Sequence, residues 1–584
     1  MHYTSKLVYE FISKQTNDPI VERKTCKVSG TEFPIYKSDT EFYDKVSPVF
    51  NWMKYQIPTP SLCPEERQRR RLMFRNERKL YKRKCDATNK NIISIYSPDK
   101  PYKVYDQKFW RSDWRDPMDY GKVFDFDRNF GEQFGELNSD IPKITIMNDD
   151  WLWTSENCWY CQDFAFGKNC YMVTSSWYVN NCFYCDCVLD SQDLLDCTML
   201  NNKCNNVYYW INCDNIQSCI YIQDSISCHN CMFCYWLNNC SNCFGSIGLW
   251  NKSYCIFNKQ YTKEEYMIKI EELNKLWYEY CLKHFLEHKE SFISASTTLR
   301  MSKNCFGNNV INSKDIVLWF DIFDTENSKY VTRVNTHAKD CYDTYQSGSP
   351  VLSYENVTSD KSYHCAFVTR CWEWCNYIYY SDNCHSCSHL FWCIWLRNKL
   401  YCIFNKQYTK EEYNQLVPKI IEHMQKTGER WEFFDPSLSP FWYNETVAQE
   451  YFPLTRQEAL DRWYKRQDNN YDPVIPEWAN VVKSDQIESL KSDDEILKSI
   501  FICEVSGRPF RIIKQELEFY RKHNLPLPTK HPDIRHEERI KLRPKRELHL
   551  RNCDNCEIEI VSVYPKDFEG KVYCEACYNR EIYG

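Results

Sequence analysis

The chain has 584 residues, 34 of them cysteine and only 13 glycine, with a formal net charge of −6. Single cores stop growing near ~250–300 residues, so several domains are expected. The charge balance calls for no acidic partner. No apolar run approaches the ~18 residues of a membrane span, and the start MHYTSKLVYEFISKQ lacks the apolar core of a signal peptide. Free thiols in a reducing compartment follow as the expectation.

Residues 1–109 form a first module whose landmarks return in a last one, 496–584. Cys26, Gly30 and Glu41-Phe42-Tyr43 reappear as Cys503, Gly507 and Glu518-Phe519-Tyr520. Pro58-Thr59-Pro60 then Cys63 corresponds to Pro526-Leu527-Pro528 then His531, and Cys85 and Tyr105 to Cys553 and Tyr573. Within the first module Arg67, Arg69, Arg70, Arg71, Arg75, Arg78, Lys79, Lys82, Arg83 and Lys84 face a single acid, Glu77. Such a segment can track phosphates, which makes nucleic acid a candidate partner. A solvated charged helix face is the plainer alternative.

After a connector at 110–150, cysteines fall on a three-residue grid. One series runs Cys158, Cys161, Cys170, Cys182, Cys185, Cys197; after a one-residue slip another runs Cys204, Cys213, Cys219, Cys228, Cys231, Cys234, Cys240, Cys243, Cys255. A helix repeats at 3.6 and a flat strand at 2, so a period of three requires a chain that turns a corner every few residues. Larger spacings cluster at 12, which predicts a β-solenoid of about 12 residues per coil with four inward positions, filled by small Cys and Ser. Asparagine precedes many grid cysteines, as at Asn230, Asn239 and Asn242, and tolerates the left-handed backbone of a corner.

The first solenoid block spans 151–258 and a capping helix follows at 259–296. A second block, 297–405, shows the grid clearly from Ser362 to Leu396, with 297–361 expected as irregular coils or long loops. A capping helix and connector occupy 406–495. Each block ends in nearly the same words, NKSYCIFNKQYTKEEY at 251–266 and NKLYCIFNKQYTKEEY at 398–413, and Thr262/Glu265 and Thr409/Glu412 have capping-box spacing. The fold class is therefore multidomain and mainly β, with two Cys/Asn-rich solenoid blocks flanked by zinc-ribbon-like α+β modules.

The most specific chemical signal is Cys553-x2-Cys556 followed by Cys574-x2-Cys577, with 17 residues between the pairs, the spacing of a zinc ribbon. Four thiolates leave no open coordination position, so one structural zinc is expected. The first module has Cys85, Thr88, Asp106 and Phe109 at the aligned positions and has lost that site. A second set is incomplete in both modules, Cys26, Ser29, Cys63, Glu66 and Cys503, Ser506, His531, Ile534, and should bind metal weakly at most. Cys228, Cys231, Cys234, Cys240 and Cys243 read as core packing, with a buried metal as the rival.

The stretches WRSDWRDPMDYGKVFDFDRNFGEQFGEL at 110–137, the two CIFNKQYTKEEY motifs, LVPKIIEHM at 416–424 and SPFWYNETVAQEYFPLT at 439–455 resemble the multi-module zinc-ribbon and cysteine-repeat proteins of candidate-phylum bacteria and giant DNA viruses, many labelled CaiB/BaiF family protein. The resemblance covers nearly the full length and implies zinc binding. Similar sequences usually carry eight metal-binding cysteines per terminal module, and here only four complete a set. The label names a CoA transferase, whose α/β architecture stacked short coils do not resemble.

No nucleophile motif or phosphate loop assigns catalytic residues, and a β-helix enzyme remains only a fold analogy. Outward aromatic columns, Trp159, Tyr171 and Phe183 beside Tyr160 and Tyr184, call for cover by the chain itself or by a partner. The expected role is a non-enzymatic structural or assembly protein of the cytoplasm, a virion or a virus factory. It would act through a protein partner or self-assembly on that aromatic face; nucleic-acid binding is the alternative.

Overall fold

The computed structural model describes residues 3–112, 116–146, 162–164, 174–176, 195, 210–211, 213–274, 276, 278–334, 337–429, 431–469, 474–490 and 492–583. The first cysteine series and the columns of Trp159, Tyr160, Tyr171, Phe183 and Tyr184 lie outside those residues.

The period of three is written in the backbone. From Asn215 to Asn242 every third residue is left-handed, and Gly245 and Gly248 continue the rhythm. The next residue along points inward: Cys219, Ile222, Ser225, Cys228, Cys231, Cys234, Leu237, Cys240 and Cys243 are all buried. Two extended residues and one left-handed corner make a triplet, and four triplets close a coil. Parallel neighbours are accordingly twelve residues apart, as in Ile222↔Cys234 and Cys243↔Cys255, with further bridges such as Gln217↔His229 and Asn238↔Trp250 on other walls. The chain is mainly β and solenoid-like, with helices confined to the ends and flanks.

Cysteine and serine do one job in this core. The Cys213, Cys228 and Cys240 thiols point at the carbonyl oxygens two residues back, at 3.2, 3.2 and 3.3 Å, as the Ser225 hydroxyl does at 2.9 Å. The inward side chain is thus both a small filler and a donor to the carbonyl of the residue before the corner.

Asparagine accounts for only some of the corners. Tyr221, Phe233, Trp236, Tyr254, Leu318, Phe367, Trp392 and Trp395 are left-handed as well. A side chain in that conformation costs roughly 1–2 kcal/mol. Aromatic corners offset the strain by stacking on the next coil and under a cover. Phe367, Tyr380, Trp392 and Phe404 form one such column, buried beneath Phe130, Phe434 and Trp431. In the first block Tyr221 and Phe233 pack under Tyr278 and Phe285 of the helix Tyr278–Glu290. Along these described columns the chain supplies its own cover.

Of the two alternatives expected at 297–361, irregular coils are found and long loops are not. Parallel strands run without a break from Leu299–Arg300 to Leu400–Ile403 in one twelve-stranded sheet. Val310, Ile316, Ile322, Val331 and Val334 take the inward positions there, so a cysteine grid could not reveal them. Coil length also varies: Cys305 pairs with Ile316 eleven residues on, and Thr325 with Ala338 thirteen on. The slip between Cys371 and Cys375 is an extra corner residue, with Glu373 and Trp374 both left-handed.

The repeated NKxYCIFNKQYTKEEY words are end stops. A final antiparallel hairpin closes each sheet, Ile256↔Lys259 and Ile403↔Lys406. The Asn258 side chain accepts from Ile247 N at 2.7 Å and donates to Ile247 O at 2.7 Å; Asn405 does the same to Ile394, both at 2.8 Å. One amide thus satisfies an edge that another coil would otherwise pair with. Capping boxes at Thr262/Glu265 and Thr409/Glu412 then start helices Lys263–Asn274 and Lys410–Thr427.

The terminal modules lie crosswise. The first module packs on the second block, where Phe42 stacks on Tyr342 at 3.8 Å and Tyr43 meets Tyr354 edge-on. The last module packs on the first block, through Trp236 against Tyr578 and Gln223 Nε2 donating to Leu542 O at 3.2 Å, and also reaches the second block through Arg543 and Arg546 on Asp321. The Ser294–Ala295 strand, which leads into the second block, pairs with Val572–Tyr573 of the last module.

Candidate metal centre and the terminal modules

Both modules contain a ribbon built on a two-stranded hairpin, Tyr81–Lys84 with Asn91–Ser94 and His549–Asn552 with Glu559–Ser562, in the same register. The turn after the first strand carries the first pair of site residues. A short strand, Val104–Tyr105 or Val572–Tyr573, delivers the second. An arginine–aspartate pair braces each turn, Arg83–Asp86 at 2.9 Å and Arg551–Asp554 at 3.0 Å.

In the last module Cys553, Cys556, Cys574 and Cys577 offer four sulfurs that all lie within 4.8 Å of one another. Cys556 Sγ and Cys574 Sγ are 3.7 Å apart, against about 3.8 Å for two ligands of a tetrahedral ion with 2.3 Å metal–sulfur bonds. Three of the four residues are buried and Cys556 is exposed. Backbone amides of Cys574 and Cys577 point at Cys553 Sγ and Cys574 Sγ, at 3.2 and 3.4 Å, and Arg580 donates to Cys577 Sγ at 3.6 Å. Burial pushes the Cys553 thiol up, yet amide donors outweigh it and bring it down to about 6. Burial also pushes Cys574 up and is the foremost cause that pushes Cys577 up to about 12, so a bound cation would be what keeps all four sulfurs deprotonated, and an all-sulfur tetrahedron suits zinc or iron.

In the first module the same place is knotted by hydrogen bonds. Asp106 Oδ2 accepts from Thr88 Oγ1 at 2.9 Å and from Cys85 Sγ at 3.3 Å, while Asp106 Oδ1 accepts from Phe109 N at 3.1 Å. Burial raises the Asp106 carboxyl, but these donors prevail and hold it below the usual range. Among the described residues the four-cysteine set is the one group of three or more Cys, His, Asp or Glu arranged to hold a metal ion. The solenoid thiols of Cys228, Cys231, Cys234, Cys240 and Cys243 form no such group. Neither does Cys26 with Cys63 and Glu66, nor Cys503 with His531.

The reading of 67–84 as a phosphate-tracking segment is corrected. Arg67, Arg69, Arg71 and Arg75 are buried, and Arg70 is only 11% exposed. Arg67 and Arg71, one helical turn apart on Pro64–Leu72, reach Asp343 at 2.9 and 3.1 Å. Arg71 also meets Glu355 at 3.4 Å, and Arg70 spans Glu355 and Glu432 at 3.0 and 2.9 Å. Arg69 pairs with Glu66, and Arg75 with Glu77 while donating to Thr358 at 2.8 Å. Arg78 and Lys79 meet Asp533 of the last module at 3.5 and 3.2 Å. Arg83 braces Asp86, and only Lys82 and Lys84 are left exposed on their strand.

Asp343 and Glu355, the acids sequence reasoning missed, are left-handed corners on successive coils twelve residues apart. Their position on the triplet rhythm is legible; their partners, more than 260 residues away, are not. The last module repeats the device, with Arg543 and Arg546 both on the buried Asp321, whose carboxyl they hold far below its usual range against the cost of burial.

No family model, curated protein or solved structure matches the chain. No helix among the described residues is long and apolar enough to cross a membrane.

Proposed function

We propose that the chain is a non-catalytic scaffold or assembly protein, held together by one structural zinc in its last module and acting through its outer surface. The carrying observation is the closed set of four cysteine sulfurs, which leaves an ion no position for water or substrate. Two tryptophans on turns, Trp52 at 99% and Trp463 at 94% exposure, fit contacts with a protein partner. The likeness to cysteine-repeat proteins of giant DNA viruses favours a partner in a virion or virus factory.

Cobalt substitution tests the site. Co(II) in place of zinc should give the intense charge-transfer bands of a tetrahedral all-thiolate ion, unmoved by added cyanide or azide. A spectrum that shifts with either anion would reveal an open position and overturn the structural reading. Photo-crosslinkers at positions 52 and 463, used in the native host, should capture a common protein; capture of nucleic acid alone would overturn the scaffold role.

A further inference from the structure

The two end stops share a sequence but not a cover. On the second lies the 3-10 turn Pro117–Tyr120 with the residues that follow it. Lys122 N donates to Phe404 O at 2.9 Å, Asn405 Nδ2 donates to Pro117 O at 3.1 Å, and Asp116 pairs with Lys399 at 3.7 Å. A Cβ on Gly121 would come within 2.7 Å of Asn405 O, so glycine is what lets the two backbones meet. Met118 rests against the cysteine core of the tube. Phe404 and Asn405 end up 1% and 0% exposed.

At the first stop Lys252, Phe257 and Asn258 hold the places of Lys399, Phe404 and Asn405. Here Lys252 is exposed, and Phe257 and Asn258 are only half-buried. Among the described residues no amide donates to Phe257 O, no carboxylate pairs with Lys252, and Asn258 Nδ2 donates to Ile247 O alone. Beside the stop the blocks differ: Gly245 and Gly248 stand where the second block has Trp392 and Trp395, and Phe257, Phe292 and Ile582 fill that space. The open surface is therefore the stop itself.

We propose that the first end stop is a docking site for a segment of a partner protein built like Asp116–Phe124. Such a segment brings an acid to Lys252, a tight turn whose carbonyl accepts from Asn258, a glycine over the stop, and an amide that donates to Phe257 O. Charge selects it, because Lys252 is the unpaired cation at the position where Lys399 already holds an aspartate. A second copy of the chain is the poorer occupant, since its own 116–124 is held on its own second stop. The site gives the scaffold reading a partner surface and rests on that reading for its purpose, while peptide binding is read independently of zinc and of positions 52 and 463.

The probe is a fluorescent synthetic peptide of residues 116–124, titrated into the full chain loaded with zinc. Saturable one-to-one binding is expected, and a photo-crosslinker in place of Met118 should attach to residues 251–260. Lys252→Glu, a change at an exposed side chain, should weaken binding roughly three- to tenfold. A peptide carrying Asp116→Lys should reverse the order and bind the Lys252→Glu chain better than wild type, which a merely misfolded variant would not do. Gly121→Ala in the peptide should weaken binding to both chains. Absence of saturable binding, crosslinks confined to 398–407, or equal affinity of wild type and Lys252→Glu would overturn the proposal. Self-association of the chain that the peptide dissolves would hand the face to a second copy and overturn the partner assignment.

Discussion

Cys85 N donates to Lys90 O at 2.8 Å in the first ribbon, and Cys553 N donates to Ile558 O at 2.9 Å in the last. Val104 N reaches Asp86 Oδ2 at 2.7 Å, and Val572 N reaches Asp554 Oδ2 at 2.6 Å. Asn89 and Glu557 make the same left-handed turn. One backbone is therefore held by two chemistries, a four-sulfur cluster at the carboxy-terminal end and a carboxylate knot at the amino-terminal end. The difference teaches where each module gets its stability. A knot of hydrogen bonds to one carboxylate contributes about 1.5–3 kcal/mol per bond, less than a bound metal supplies, so the first module must draw on its docking. In the last module a bound metal would add its own binding free energy to whatever docking contributes.

Removing the metal should produce the widest separation between the modules. Chelation, or Cys574→Ala, is expected to unfold residues near 500–584 while the first module stays protected; apparent zinc affinities of small sites reach about 10–16 kcal/mol, more than a module of this size can replace. Hydrogen exchange read by mass spectrometry resolves the two ends. Equal loss of protection at both would show that the ribbons are not held independently.

The converse experiment attacks the docking. Asp343 receives Arg67 and Arg71 with almost no exposure, so Asp343→Ala leaves two guanidinium groups buried without that partner. Breaking a buried pair from one side costs about 3–5 kcal/mol. Urea unfolding should show that loss, with protection lost first over 1–109 and zinc retained. A change below ~1 kcal/mol would mean that the arginines re-pair on Glu355 or reach water.

His531 gives the comparison a pH axis, because its counterpart is Cys63. Burial pulls the His531 imidazole down from 6.5 to about 4, with Asp533 opposing. The folded state therefore keeps it neutral where the unfolded state takes a proton. Stability is complete above pH 6.5 and falls as pH drops toward 4, by up to about 3 kcal/mol for a shift of this size. Wild type should lose most of that relative to His531→Asn between about pH 7 and pH 4.5, measured as the difference in urea midpoints so that zinc loss cancels. Parallel curves for the two proteins would remove His531 from the account.

What the sequence disclosed was local. The triplet rhythm, the end-stop words and the Cys-x2-Cys pairs are spacing rules within one or two turns of chain, and spacing survives in one dimension. The basic stretch misled because charge is legible and its compensation is not: nothing near Arg71 announces Asp343 or Glu355. Residues 297–361 hid for another reason. A rhythm read from cysteine alone fails where Ile316 and Val331 fill the tube and coils of eleven and thirteen residues break the phase. The docking of the modules had no sequence signature, because it depends on which aromatics, Tyr342 on a strand or Trp236 at a corner, each module meets.

The carboxylate knot should give the smallest effect and the sharpest test of what replaced the metal. Asp106→Asn keeps the shape and one acceptor oxygen but adds an amide donor, so the ring of donors from Cys85, Thr88 and Phe109 no longer meets a full carboxylate. A loss of about 1–2 kcal/mol is expected, in the range of a hydrogen bond to a charged group. Docking on the second block should limit the damage to the ribbon itself, visible as faster exchange over 81–106 with the rest of the first module unchanged. Asp106→Cys asks the complementary question. With Cys85 it supplies two sulfurs, and Thr88 and Phe109 still withhold the other two, so no tight zinc should be gained beyond the one in the last module. A second equivalent of zinc resistant to chelation would show that the first ribbon needs fewer ligands than a closed tetrahedron provides, and that its loss of metal was a matter of one residue.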